Sequence, residues 1–196
     1  MSAACPVAQG VGTMRALVVF ESAFGNTEQV ARAVFQGMFR RLQDVALLDV
    51  ASAPPRLPPE LEMLVVGGPM QALGISRPTT HPDAYRQGMV ERPTRPGLAQ
   101  WLGSLEPPER PVHAAAFDTR IHTPPSPGFP AVAAWRTLRR DGYQLAGDAE
   151  SFCVMGIRGP LCDGEVERAR TWGVRLIDLV VGPRPTGPGP LEEPAR

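Results

Sequence analysis

The sequence predicts an α/β fold, a three-layer sandwich in which a five-stranded parallel sheet of order 2-1-3-4-5 lies between two layers of helices. Three observations carry that prediction. Short apolar runs alternate with segments of helical period, the pattern of strands joined by crossover helices. The first run, 15–20 (RALVVF), is almost continuously apolar, as a parallel strand covered on both faces requires. A chain of 196 residues, 43% of them hydrophobic, can bury a full core and has the length of one domain.

Taken in order, residues 15–20 make the central strand. Val30, Ala31, Val34, Phe35, Met38 and Leu42 then recur at helical spacing and lay an amphipathic helix on the sheet. Residues 45–50 (VALLDV) close the first βαβ unit. The crossover 51–62 holds Pro54, Pro55, Pro58 and Pro59, and each proline removes a backbone donor, so this connection is irregular rather than helical. Residues 63–67 (MLVVG) form the third strand, which runs out at Gly67-Gly68-Pro69-Met70. The polar, proline-bearing stretch 71–96 shows no period, and a loop of that length in a compact domain is usually functional or mobile.

Leu98, Trp101, Leu102 and Leu105 mark a short helix, and 112–117 (VHAAAF) the fourth strand, which leads into Asp118-Thr119-Arg120. Pro130 opens a helix with Val132, Trp135 and Leu138 inward and Gly142 as its stop. The fifth strand is 152–155 (FCVM). Asp163 can cap the last helix, whose first turn carries Glu165 and Glu167 at the positive helix end. The domain therefore spans 14–181, between a loose N-terminal tail, 1–13, and a proline- and glycine-rich tail, 182–196, for which disorder is expected.

Every one of the 20 basic residues is an arginine, and they balance 20 acidic residues, so binding to nucleic acid or anionic lipid through net positive charge is not indicated. Residues 1–12 lack the basic region and apolar core of a secretory signal. No apolar run approaches the roughly 20 residues of a membrane span, and a soluble, cytoplasmic protein is expected. Cys5, Cys153 and Cys162 have neither CxxC spacing nor a histidine cluster beside them, so neither a disulfide framework nor a metal site follows; Cys153 reads as a small buried apolar residue and Cys162 as a turn position. His81, His113 and His122 are dispersed, and the tryptophans sit at helix-face spacing, so core or surface roles suit them.

In an open parallel sheet, ligands bind beyond the carboxyl ends of the strands where strand order reverses. Three segments meet there: 22–27, 68–73 and 118–121. The first has two readings. Ser22, Asn26 and Thr27 with Gly25 can form an anion-binding turn at a helix N-terminus. The same residues also suit a plain corner, with Asn26 or Thr27 as helix cap. Other phosphate motifs fail: a chain without lysine has no P-loop, GxGxxG is missing after the first strand, the third strand ends without a carboxylate, and Cys153 and Arg158 are one residue short of CxxxxxR.

The stretch ALVVFESAFGNTEQVARAV resembles the opening of the flavodoxin family, whose phosphate loop reads Thr/Ser-x-Thr-Gly-Asn-Thr. The resemblance runs over roughly residues 14–181, through LVVGGPMQALGISRP, AAFDTRI and ESFCVMGIRGPLCDGEVERARTWG, and suits small flavodoxin-domain proteins of actinobacteria. Ser22, Gly25, Asn26 and Thr27 fall on matching positions and, with Ala23 and Phe24 between them, are implied to hold the phosphate of flavin mononucleotide (FMN). Phe24 stands where the family has its middle threonine. By the same resemblance Gly68, Pro69, Met70 and Gln71 cover one side of the isoalloxazine, Asp118, Thr119 and Arg120 line the other, and the peptide of Gly67 or Gly68 flips toward reduced N5. The implied function is redox work, as an electron carrier serving a redox partner protein or as a small oxidoreductase with a small-molecule electron acceptor. The alternative is a flavin-free relative that acts through protein contacts, and Phe24 is its main support.

Overall fold

The computed structural model describes residues 15–69, 97–121, 130–156 and 158–181. The tails, the loop 71–96, Met70 and His122 lie outside them.

The central strand β1 (Ala16–Phe20) is buried along its whole length, and its alternation feeds two separate cores. Ala16, Val18 and Phe20 face one helical layer, Leu17 and Val19 the other. Around it the parallel partners β2 (Val45–Asp49), β3 (Met63–Pro69) and β4 (His113–Ile121) give the order β2-β1-β3-β4, and β5 (Gln144–Leu145) extends the sheet beside β4. A further strand, β6 (Glu150–Val154), also pairs parallel with β4. The predicted order 2-1-3-4-5 is the order found, with its fifth position filled by two segments. β5 pairs with His113 and Ala114, and β6 with Phe117 to Ile121. A two-residue strand is too short to show a period, which is why only the β6 region is visible in the sequence.

One face carries α1 (Asn26–Phe39) and the C-terminal helix, the other α2 (Leu98–Ser104) and α3 (Pro130–Arg140). The C-terminal helix is α4 (Glu165–Val181). The crossover after β2 holds only a one-turn 3-10 helix, Val50–Ser52, where the Asp49 side chain accepts from the Ala51 N–H at 2.9 Å; the prolines leave the rest irregular.

The helices α1 and α4 meet at glycines. A Cβ on Gly37 would fall 2.0 Å from the Arg170 carbonyl oxygen, and one on Gly173 2.2 Å from that of Val34. The backbones touch there, and no side chain fits between them. Beneath α4, the rings of Phe117, Phe152 and Trp172 pack edge to face, with centroids 5.8–6.0 Å apart. Gly67 lies opposite Phe117 in the ladder, and a Cβ on it would sit 1.9 Å from the ring.

Two predicted loops are strand. Gly68 and Pro69 pair with Asp118 and Thr119, so β3 and β4 both run on past their predicted ends. Gly67 and Gly68 are buried ladder residues, and Gly67 makes room for a core ring. This corrects the expectation of a loop peptide free to flip at either glycine.

Candidate functional site

The chain leaves β1 at Phe20, turns through 21–25 and enters α1 at Asn26. Gly25 occupies the N-cap position in the left-handed conformation (φ 86°), where a Cβ would be strained, and no side chain caps the helix. The capping reading of Asn26 and Thr27 is thereby corrected: both lie inside the first turn. Ser22 Oγ instead accepts from the Gly25 N–H at 3.0 Å and holds the turn closed. The result is a tight loop whose following N–H groups point out of a positive helix end, and the N-cap residue offers them no side-chain acceptor.

Three polar side chains are buried around this turn: Ser22, Asn26 and Thr27. Thr27 Oγ1 lies 2.8 Å from Thr119 Oγ1, a buried hydrogen bond that fastens the turn to β4 across 92 residues of sequence. Between them lies a cleft of about 200 Å³ lined by Ser22, Ala23, Phe24, Asn26, Thr27, Pro69, Thr119, Arg120, Ile121 and Val154. It opens at the carboxyl ends of β1, β3, β4 and β6, where the strand order reverses about β1.

No protein-family model matches the chain, and no curated protein matches it. Solved structures do match. A flavodoxin from the domain Archaea superposes with a TM-score of 0.57 at 17% identity, over 86% of this chain and 99% of its own. Oxidised flavodoxin 1 from Bacillus cereus gives 0.56 at 16% identity, over 83% and 97%. A WrbA-like flavodoxin from Agrobacterium tumefaciens gives 0.52 at 16% identity, over 85% and 96%.

The fold is that of the flavodoxins. At such identities the likeness concerns architecture alone, and the chemistry rests on the residues of this chain.

Of the residues singled out in the flavodoxin-like sequence pattern, Ser22, Ala23, Phe24, Asn26, Thr27, Pro69, Thr119 and Arg120 line the one cleft, and Gly25 shapes its turn. Gly68 is buried in β3 and does not line it; Met70 and Gln71 lie outside the described residues.

Asp118 is a correction. It is fully buried on the opposite face of β4, where Oδ2 accepts from the Ala131 N–H of α3 at 3.0 Å. Strand alternation explains this, since neighbours in a β-strand point to opposite faces. Burial pushes the Asp118 carboxyl above its ordinary range, and the Ala131 N–H, Ser151 and Arg120 offset that only in part. Its Oδ1 has no hydrogen-bond partner among the described residues. Ser151, its neighbour on β6, is near enough to favour the charged form without a well-formed bond to that atom.

Sequence reasoning missed the contribution of β6 and the segment after it. Val154 lines the cleft, the Arg158 guanidinium lies 5.9 Å over the Phe24 ring, and Gly159 abuts the Asn26 side chain. This segment doubles back on its strand, with Met155 N–H donating to Pro160 O and Cys162 N–H to Cys153 O. A Cys153–Cys162 disulfide closes it, with Cα atoms 5.4 Å apart, which corrects the expectation of two unlinked cysteines. A separation of nine residues is no motif, and the pairing depends on this turn. The Glu165 carboxylate receives the Cys153 N–H at 2.8 Å; burial pushes its pKa up, but that bond and Arg168 outweigh burial and hold it below the ordinary value.

Among the described residues no cluster of histidine, cysteine, aspartate or glutamate could hold a metal ion, and no helix is long and apolar enough to cross a membrane.

Proposed function

We propose that the chain is an FMN-binding redox protein, in which the 22–27 turn takes the phosphate and the cleft beside it takes the flavin. One observation carries this reading. An uncapped helix N-terminus, preceded by a left-handed glycine and ringed by three buried polar side chains, opens into a cleft at the point where strand order reverses. A plain corner needs neither an uncapped start behind a left-handed glycine nor a cleft beside it at the reversal of strand order.

Bound flavin would supply the one- or two-electron chemistry. The protein's share is to bind and orient. The first-turn N–H groups and the Ser22 and Thr27 hydroxyls hold the phosphate, and Asn26 adds an amide. Thr119 fixes Thr27, while Pro69, Thr119 and Arg120 border the ring. Either a redox partner protein or a small-molecule acceptor takes the electrons; oxidation of NADPH or reduction of quinones by the loaded protein distinguishes an enzyme from a carrier. The cytoplasm remains the proposed compartment. The Cys153–Cys162 bond, of a kind rare there, makes thiol titration of freshly isolated protein the direct check. The all-arginine composition supports an actinobacterial source.

Phe24 favours a second reading, a flavin-free protein working through contacts, because a ring occupies the place of a hydroxyl. Titration separates the two. The FMN reading expects quenching of added FMN fluorescence and a yellow purified protein. It also expects the double variant Ser22→Ala, Thr27→Ala to bind FMN at least about tenfold more weakly, the scale of hydrogen bonds to a charged group. A protein that leaves FMN fluorescence unchanged is the flavin-free one, and a double variant of unaltered affinity rejects the site.

A further inference from the structure

Resting on the FMN reading, we propose that Arg158 is a phosphate-binding residue, brought to the 22–27 turn by the disulfide-closed segment after β6. The turn itself carries no charge, and it is flanked by two carboxylates, Glu21 before it and Glu28 in the first helical turn. A phosphate entering there meets backbone dipoles and hydroxyls but no cation of the turn's own, and Arg32 is already bonded to Glu28 at 2.6 Å. The missing positive charge comes from another part of the chain.

The Arg158 guanidinium lies 5.9 Å over the face of Phe24, within the range of a cation–π contact, so the ring that displaces a hydroxyl also seats an arginine. Its neighbour fixes the distance. Gly159 has φ 94°, and a Cβ there would fall 2.3 Å from Asn26 Oδ1, so the backbone beside Arg158 is in contact with a residue of the phosphate turn. Two ties hold the segment in that place: the Cys153–Cys162 disulfide and the Val154–Leu161 bridge, whose bonds run from Met155 N–H to Pro160 O and from Cys162 N–H to Cys153 O. The side chain is exposed at the rim, where a long cationic arm reaches a phosphate without burying its charge. Arg120 lines the same cleft, entering from β4 beside Thr119, and on the FMN reading it borders the ring.

The experiment compares FMN with riboflavin, which has the same ring and no phosphate, on the unaltered protein and on Arg158→Gln and Arg158→Lys. Arg158→Gln keeps much of the stem over Phe24 and removes the charge. Its Kd for FMN should rise about tenfold or more while its Kd for riboflavin stays within about twofold, and the salt dependence of FMN binding should flatten. Arg158→Lys should fall between the two, since it keeps the charge but not the planar fork. The proposal is overturned if Arg158→Gln binds FMN as the unaltered protein does, or loses FMN and riboflavin equally. Failure of the underlying reading shows separately, in the unaltered protein: if it binds neither flavin, both proposals fall.

Discussion

On the face covered by α1 and α4 the helices meet backbone to backbone over a cluster of three rings, whereas the face covered by α2 and α3 closes over polar atoms left unmatched. The Tyr143 hydroxyl and Asp118 Oδ1 are those atoms, with no hydrogen-bond partner among the described residues. Both faces rest on the same sheet, and strand alternation assigns each residue to one or the other. The first face is specified by shape and tolerates little added volume. The second carries groups whose removal relieves the fold.

The largest expected effect is at the helix contact. On propensity alone Gly173→Ala would stabilise α4 by about 1 kcal/mol. The Val34 carbonyl 2.2 Å from the new Cβ reverses the sign, and overpacking against backbone should lower stability by about 3 kcal/mol in urea denaturation. A variant at or above the parent's stability would remove the contrast between the faces.

Asp118→Asn tests the other face in the opposite direction. The asparagine keeps an acceptor for the Ala131 N–H and brings no charge into the interior, so stability at pH 7 should rise by about 1 kcal/mol. The pH profile sharpens this. A carboxyl whose pKa is raised on folding holds its proton more tightly in the folded chain. Its contribution is complete below the ordinary value of 3.8 and declines as pH rises from there through the folded value. The parent should lose stability over that interval and the asparagine variant should not, as denaturation midpoints at successive pH values would show.

Tyr143→Phe should have the smallest effect, a gain of up to about 1 kcal/mol from removing an unpaired buried hydroxyl. Burial, helped by Asp141, pushes the Tyr143 pKa from 10.0 to about 12. The parent should therefore lose stability as pH climbs through that interval, and the phenylalanine variant should lose less. If both unfold alike in alkali, the hydroxyl is better solvated than its place in the core implies.

The same contrast explains what was legible in the sequence. Regular strands and helices with one or two buried faces repeat at fixed periods, so β1 to β4, the four helices and the strand order could be read directly. The 22–27 turn was legible because glycine and hydroxyl residues cluster just after a buried strand. What escaped depends on long-range pairing. Asp118 reads as a cleft residue in the sequence because the apolar run stops at Phe117, four residues before the observed end of β4, and only the observed register turns it to α3. Arg158 and Gly159 reach Phe24 and Asn26 across more than a hundred residues, and the disulfide depends on a reversal of the chain that leaves no periodic trace.

The doubling back after β6 also shapes how copies of this chain can meet. An unprotected sheet edge offers backbone groups to any neighbouring strand, and folded proteins suppress that growth with breaks or covers. Here the edge beyond β4 is split between β5 and β6, with Gly147 at φ 104° in the gap, and Leu161 bridges the end of β6 under a covalent lock. The opposite edge, β2, is a continuous half-buried run of five residues. Any strand-to-strand aggregation of the folded protein should therefore begin at β2, and a charged or proline substitution there is the first choice for suppressing it at high concentration.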